Sequence, residues 1–400
     1  MVTTSWIDEF VRRTSHSSSP ERFRRWAAVF GISSALQRRC WVYAEGRPLF
    51  PNIFALLVGD PGVGKTTAIR FVRELLLKLP TLRMTPTMIT KEKFIDTLAN
   101  SHSTSVTLAS PKGVIPYIHS SVSVPLDEFS NFLRPKDFDF MSVLTELYDC
   151  GEVFENATMM RGINRVENVC LSMMGATTPK TLSTIFGDQS FGMGFTSRLI
   201  MVHSNDKRHM PIFSVAKAPD MSHLEHDLKM IHQLKGEFKF TSEAVAEIED
   251  YHIKGMPPIP SDSRFAEYLP RRIIHWLKLC IIFCAARTGS QQIDLQDVVA
   301  ARAFLLDAEA HMPRAIEHVG QNPLAEAIKN VHRWCAVKYA ESKQPVSEER
   351  IRRLLLQEIP IQFHATAIET LISGGYLVTF GPNTAPDRQF IPRVVTKESH

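Results

Sequence analysis

Residues 59 to 66 read Gly-Asp-Pro-Gly-Val-Gly-Lys-Thr, and this octet narrows the folds open to the chain more than any other stretch of its sequence. It satisfies every fixed position of the pattern G-x-x-x-x-G-K-[ST]. The apolar run Phe54 to Val58 stands directly before it and stops at Gly59, as a buried parallel strand does on entering a tight loop. A helical pattern follows from Lys65 to Leu79 and ends at Pro80. Strand, glycine loop and helix in that order are the context that a phosphate-cradling loop requires. Gly59, Gly62 and Gly64 let the backbone curl, so that the N–H groups of the loop, Asp60, Pro61 and Val63 lying between the glycines, surround an anion. The start of the helix, with Lys65, Thr66 and Thr67, adds its partial positive charge. The expected ligand is ATP, with Lys65 on the β- and γ-phosphates and the Thr66 hydroxyl on Mg²⁺.

Turnover of such a ligand needs carboxylates. Val122-Ser123-Val124-Pro125-Leu126-Asp127-Glu128 reads as a strand closing on two acids. Asp127 is expected to face Mg²⁺ and Glu128 to polarise the attacking water. Pro125 removes a ladder donor, so an interruption or bulge is expected there.

Further short apolar runs at Val169 to Met174 and Leu199 to Val202, with a helical pattern at Met141 to Tyr148 between, predict an α/β fold with a doubly wound parallel sheet. Ahead of it, Ser19 and Pro20 offer an N-cap and first position for a helix running to Arg39. After about Pro211 the pattern turns helical, over His223 to Leu234, Ser242 to Tyr251, Arg271 to Arg287 and Leu295 to His311. From Gln344 onward two short helices, Glu348 to Gln357 and Ala365 to Ser373, precede the runs Tyr376 to Phe380 and Gln389 to Val395, which suggests a winged helix. Its Arg350, Arg352, Arg353 and Arg388 suit phosphate contacts. The expected division is an N-terminal helical segment over 1–45, an ATPase core over 46–212, a helical lid over 213–318, and a linker helix with winged helix over 319–400.

Composition limits the alternatives. With 44% apolar residues the 400-residue chain buries a full core, which excludes disorder, and a net charge of +4 permits a polyanionic partner without requiring one. Six scattered cysteines give neither a disulfide framework nor the spacing of a zinc site, so any primase activity has to come from another chain. No run approaches the roughly 20 apolar residues needed to span a bilayer, and the expected protein is soluble, cytoplasmic and without a membrane partner.

The series GDPGVGKT, VPLDE, LSMMGATTP and GFTSRLI, in that order from about Ser19 to Val202, resembles an AAA+ ATPase. More narrowly it resembles the MCM-like and phage or mobile-element replicative DNA helicases, and Leu49-Phe50-Pro51-Asn52-Ile53 behind an arginine-bearing helix is similar to the ATPase module of phage helicase-primase proteins. The resemblance implies that Thr178, or Thr177, senses the γ-phosphate. It implies that Arg198 is an arginine finger entering the ATP site of a neighbouring subunit, hence a homo-hexameric ring, and that of Arg271 and Arg272, which open the long helix, Arg271 rather than Arg272 is a second sensor. A hairpin of Val153 to Thr158 and Ile163 to Val169 would line the pore, with Arg161, Asn164 and Arg165 on single-stranded or forked DNA. The implied activity is an ATP-hydrolysing DNA helicase or translocase in phage or mobile-element replication, working beside a primase or polymerase in the bacterial host cytoplasm. The alternative is an ATP-dependent helicase loader, or a DNA-bound assembly or regulatory factor.

Overall fold

The computed structural model describes residues 5–393 apart from 87, 111–112, 159–161, 188–189, 192–193, 211–218, 320–322 and 382–387. A five-stranded sheet carries the spatial order His102–Ser110, Gly113–Leu126, Val169–Thr177, Phe54–Val58, Leu199–His203. The last four run parallel, and His102–Ser110 joins as the antiparallel arm of a hairpin. Phe54–Val58, Val169–Thr177 and Leu199–His203 are buried at every position. That is why they read as near-continuous apolar runs: a parallel sheet has both faces covered.

Register fixes what the sheet presents at its ends. Val58 lies level with Thr177 on one side and His203 on the other, and Leu126 lies level with Gly175. The carboxyl ends of four parallel strands therefore open onto one edge, where ligands of open α/β sheets bind. Pro125 does not interrupt the ladder, which runs unbroken from Ser120↔Val169 to Leu126↔Gly175. On its other flank the strand has paired with the hairpin arm only to Ser120 and with Met84 at Ser123. The strand therefore reaches Pro125 with one flank open, where a missing donor is tolerated.

The helix expected to start at Ser19 and reach Arg39 spans Glu21–Leu36. Pro20 occupies its N-cap without a side-chain cap bond, and Gln37, at φ 56°, ends it. An unexpected helix, Trp6–Arg13, precedes it, capped by Ser5, whose hydroxyl accepts from the Asp8 N–H. Both pack into one core that runs on through Trp276, Ile281 and Leu305 to Val319. The segments expected at 1–45, 46–212 and 213–318 thus form a single unit, Met1–Val319.

Gly320–His400 is a second unit with its own core, including Val331, Ile351, Leu355, Ile368, Leu371 and Phe390. Helix Pro323–Ser342, strand Val346–Ser347, helices Glu348–Leu355 and His364–Ser373, and strands Leu377–Phe380 and Gln389–Pro392 follow in that order. The strand Gln389–Pro392 lies between the other two, antiparallel to both. Among the described residues no helix is long and apolar enough to cross a membrane.

Candidate phosphate-binding site

The octet forms a turn between the Phe54–Val58 strand and the Lys65–Leu76 helix. Gly62 and Gly64 both sit at φ +81°, a region closed to most side chains. Gly64 is required twice, because a Cβ there would also lie 2.8 Å from the Cα of Ser19. At Gly59 a Cβ would lie 2.3 Å from the carbonyl oxygen of Ser204. The loop is thus pressed between the N-terminal segment and the chain leaving Leu199–His203. Asn205, from that exit, accepts the Asp60 N–H at 2.8 Å, and the Gly59 N–H donates to the Thr177 carbonyl at 3.3 Å.

Lys65 is 8% exposed, and its ammonium donates to the carbonyl oxygens of Gly59 at 2.6 Å and Asp60 at 2.8 Å. Burial pushes this ammonium below the ordinary lysine range, while the carboxylates of Glu128 and Asp60 pull the other way. A desolvated cation held by two neutral carbonyls is well prepared to exchange them for phosphate oxygens. Gly64 caps the helix with no side-chain bond, so its first N–H groups carry no side-chain acceptor. Pro61, Gly62 and Thr66 are exposed, Thr67 is half-buried, and Val63 is buried beneath the turn.

Three neighbouring strand ends surround the loop. Asp127 is exposed and Glu128 half-buried directly after Leu126, with a Glu128 oxygen accepting from the Ser130 hydroxyl at 3.1 Å. Thr177 is fully buried and its hydroxyl has no hydrogen-bond partner. Beyond His203, a polar cavity of about 370 Å³ is lined by Arg22, Ser204, Asn205, His311, Arg314 and others. Arg314 and Asn205 are exposed there, and Arg22 is fixed by its ion pair to Asp307 at 2.8 Å. Sequence reasoning missed Asn205, which the register of Leu199–His203 against Phe54–Val58 brings beside the loop, and Arg22 and Arg314, which line the cavity with it.

The donor set fits a hard divalent cation, since an exposed hydroxyl at Thr66 and an exposed carboxylate at Asp127 are the oxygen ligands that Mg²⁺ takes beside phosphate oxygens and water.

Other expected residues are placed elsewhere. The Thr178 hydroxyl caps helix Pro179–Ile185, accepting from the Thr181 N–H at 3.1 Å. The neighbouring Thr177 is the one with a hydroxyl to spare. Arg271 is not beside the loop: it opens helix Leu269–Thr288 and reaches Asp149 at 3.5 Å. Arg198 lies at the start of Leu199–His203, at the opposite end of the sheet from the octet. It is 6% exposed, with its guanidinium on Asp149 at 2.6 and 3.2 Å and on the Gly194 carbonyl at 2.9 Å. It does not project from the surface as a finger does, because the chain supplies its counter-ion.

The hairpin exists, as Val153–Thr158 paired with Gly162–Glu167. Arg161 lies outside the described residues. Asn164 is half-buried opposite Asn156. Arg165 bonds Glu155 at 2.8 Å and Glu167 at 3.2 Å, so its charge is already answered. In the second unit Arg352 and Arg388 both bind the buried Glu348, and Arg353 binds Glu349. The helix His364–Ser373 carries no lysine or arginine.

No protein-family model matches the chain, and none of the curated proteins does.

Proposed function

We propose that the chain is a P-loop nucleoside-triphosphatase of AAA+ type that binds ATP with Mg²⁺. The observation that carries this reading is the convergence, at one sheet edge, of a glycine loop, a buried ammonium bonded only to carbonyls, a free helix N-terminus, two carboxylates and an unpartnered hydroxyl. In that arrangement the loop N–H groups and Lys65 bind the phosphates and Glu128 orients the water. The Thr177 hydroxyl donates to a terminal phosphate oxygen, a group made available by having no partner in the fold. Bound Mg²⁺ supplies neutralisation of phosphate charge, with Thr66 and Asp127 as its holders. The cavity at Ser204, Asn205 and Arg314 receives the remainder of the nucleotide.

The motif series supports a ring-forming DNA helicase or translocase in phage or mobile-element replication, and the helix–strand–helix–helix–strand–strand order of the second unit supports a winged helix. A loader or assembly factor is favoured by one specific observation: of the arginines expected on DNA, Arg165, Arg352, Arg353 and Arg388 are bonded to carboxylates of their own chain, while Arg350 is exposed. A strand-displacement assay on a forked duplex with ATP and Mg²⁺ decides. Catalytic unwinding by the purified chain is the helicase result. ATP hydrolysis without unwinding is the loader result, and no hydrolysis at all refutes the triphosphatase reading.

A further inference from the structure

Cys150 and Cys170 stand at the two feet of the hairpin formed by Val153–Thr158 and Gly162–Glu167, and the nucleotide chemistry uses neither. Val153 pairs with Glu167, and beyond that pair the Asn168 N–H donates to the Glu152 carbonyl at 2.6 Å. Carried two residues further, the same register brings Cys150 level with Cys170. Opposed residues of an antiparallel pair have Cα atoms about 4.5–5.5 Å apart, within the span of a disulfide. Arg38 shows the same closeness from another element: one of its guanidinium nitrogens donates both to the Cys150 carbonyl at 2.5 Å and to the Val169 carbonyl at 2.7 Å. Both thiols are free and buried, they hydrogen-bond each other, and they share a small apolar cluster with Phe50, against which Trp41 packs.

Charge and access separate this pair from the other cysteines. Lys278 is 2% exposed and makes no ion pair among the described residues; its ammonium has the Asn52 side-chain oxygen at 2.8 Å and, at 3.6 Å, the ring of Tyr148. Cys150 and Lys278 line one cavity with the exposed Arg47, and its volume of about 20 Å³ admits a water-sized molecule. Burial pushes the Cys150 thiol up, but the hydrogen bond from Cys170 and the charges of Lys278 and Arg38 outweigh it and hold this thiol below its ordinary range. Cys170 goes the other way, raised by its hydrogen bond to Cys150 and by burial. Burial raises Cys40, Cys280, Cys284 and Cys335 as well. Thiolate character and access to a small molecule together make a cysteine reactive, and Cys150 combines them.

We propose that Cys150 and Cys170 are a peroxide-oxidised dithiol, Cys150 attacking and Cys170 resolving, whose disulfide staples the foot of the hairpin. The Cys150 thiolate attacks one oxygen of hydrogen peroxide. The O–O bond breaks, the sulfur is oxidised to sulfenic acid, and the departing hydroxide takes up the proton that Cys150 released, giving water. The Cys170 sulfur then attacks the sulfenic sulfur. The S–S bond forms, the S–O bond breaks, and the second hydroxide leaves with the Cys170 proton as water. Two thiols and one peroxide thus become one disulfide and two waters. The pair needs no part of the nucleotide site for this chemistry.

The test treats the full chain, with its six cysteines, with equimolar hydrogen peroxide at pH 7, alkylates the remaining thiols in denaturant and maps the peptides by mass spectrometry. The expected result is the loss of two thiols of the six, both in a Cys150–Cys170 linkage that dithiothreitol reverses, with the other four alkylated. The same treatment of the chain unfolded in guanidinium chloride is expected to scatter oxidation over all six, because the selectivity comes from the fold. Cys170→Ser keeps a donor beside Cys150 and is expected to stop at the Cys150 sulfenic acid, which dimedone traps. Cys150→Ser is expected to leave Cys170 a thiol. Six free thiols after treatment of the folded chain, oxidation spread evenly over the cysteines, or a dimedone adduct on Cys170 and none on Cys150 overturns the proposal.

Discussion

Thr177 makes the sharpest test of the nucleotide site, because replacing it with valine should move stability and turnover in opposite directions. Its hydroxyl is fully buried at the end of Val169–Thr177 and has no hydrogen-bond partner. A buried hydroxyl without a partner costs about 1–3 kcal/mol. Valine keeps the branched shape and removes the polar atom, so Thr177→Val should stabilise the nucleotide-free protein by about 1–2 kcal/mol, which is a rise of a few degrees in the thermal midpoint for a unit of this size. Turnover should fall about a hundredfold, the usual loss when one preorganised donor to a reacting oxyanion is removed. Thr178→Ala is the internal contrast. It deletes the cap of helix Pro179–Ile185 and should cost about 1 kcal/mol of stability. Scanning fluorimetry without nucleotide and steady-state ATP hydrolysis read both variants. A Thr177→Val protein less stable than its parent refutes the unpartnered-hydroxyl argument, and one that is more stable yet hydrolyses ATP at the parental rate refutes the sensing role.

Lys65→Ala should abolish nucleotide binding by equilibrium dialysis, whereas Glu128→Gln should retain ATP and hydrolyse it about a hundredfold more slowly; equal hydrolysis by Glu128→Gln and its parent moves the base elsewhere. Arg165→Ala should flatten the slope of log affinity against log salt for a single strand by much less than the roughly 0.7 expected per phosphate, because the guanidinium already serves Glu155 and Glu167; a full 0.7 means that it leaves them for the strand. Stability should fall on acidification below pH 6.5. Burial lowers His119 and His232 to about 4 and His275 to about 3, so each stays neutral in the fold and takes up its proton on unfolding. The unfolded state then binds more protons across that window, and calorimetry in buffers of different ionisation heat should find about three protons taken up by these groups at pH 5.5.

Local signals were legible and distant pairings were not. The octet, its strand and its helix are contiguous, and their residue types are dictated by backbone curvature and phosphate chemistry within a dozen positions. Helices after residue 222 could be read from local signals, as with Thr241 capping Ser242–Ile253 and Asp294 and Asp297 in a capping box at Leu295–Glu309. The short helix Trp6–Arg13 was readable in principle from Ser5, its acidic first turn and its basic last turn. What sequence cannot give is which arginine finds a carboxylate. Arg198 and Asp149 are 49 residues apart, Arg271 and Asp149 122, and no period links them. Thr177 and Thr178 are chemically identical neighbours, and only the onset of a helix at Pro179 decides which hydroxyl is occupied.

The two poles of the sheet also constrain how the proposed activities can cooperate. The five residues of Leu199–His203, at about 3.3 Å each, separate Arg198 from the strand end level with Val58 by roughly 16 Å. An arginine side chain does not bridge that span, and the strand is buried along its whole length. Neither Arg198 nor Arg271 can therefore act on a nucleotide in its own loop. Any effect of one end of the sheet on the other has to pass either through the sheet or through a second copy whose loop faces Arg198 and Arg271. A head-to-tail contact of the latter kind is heterologous and closes into a ring or extends as a filament.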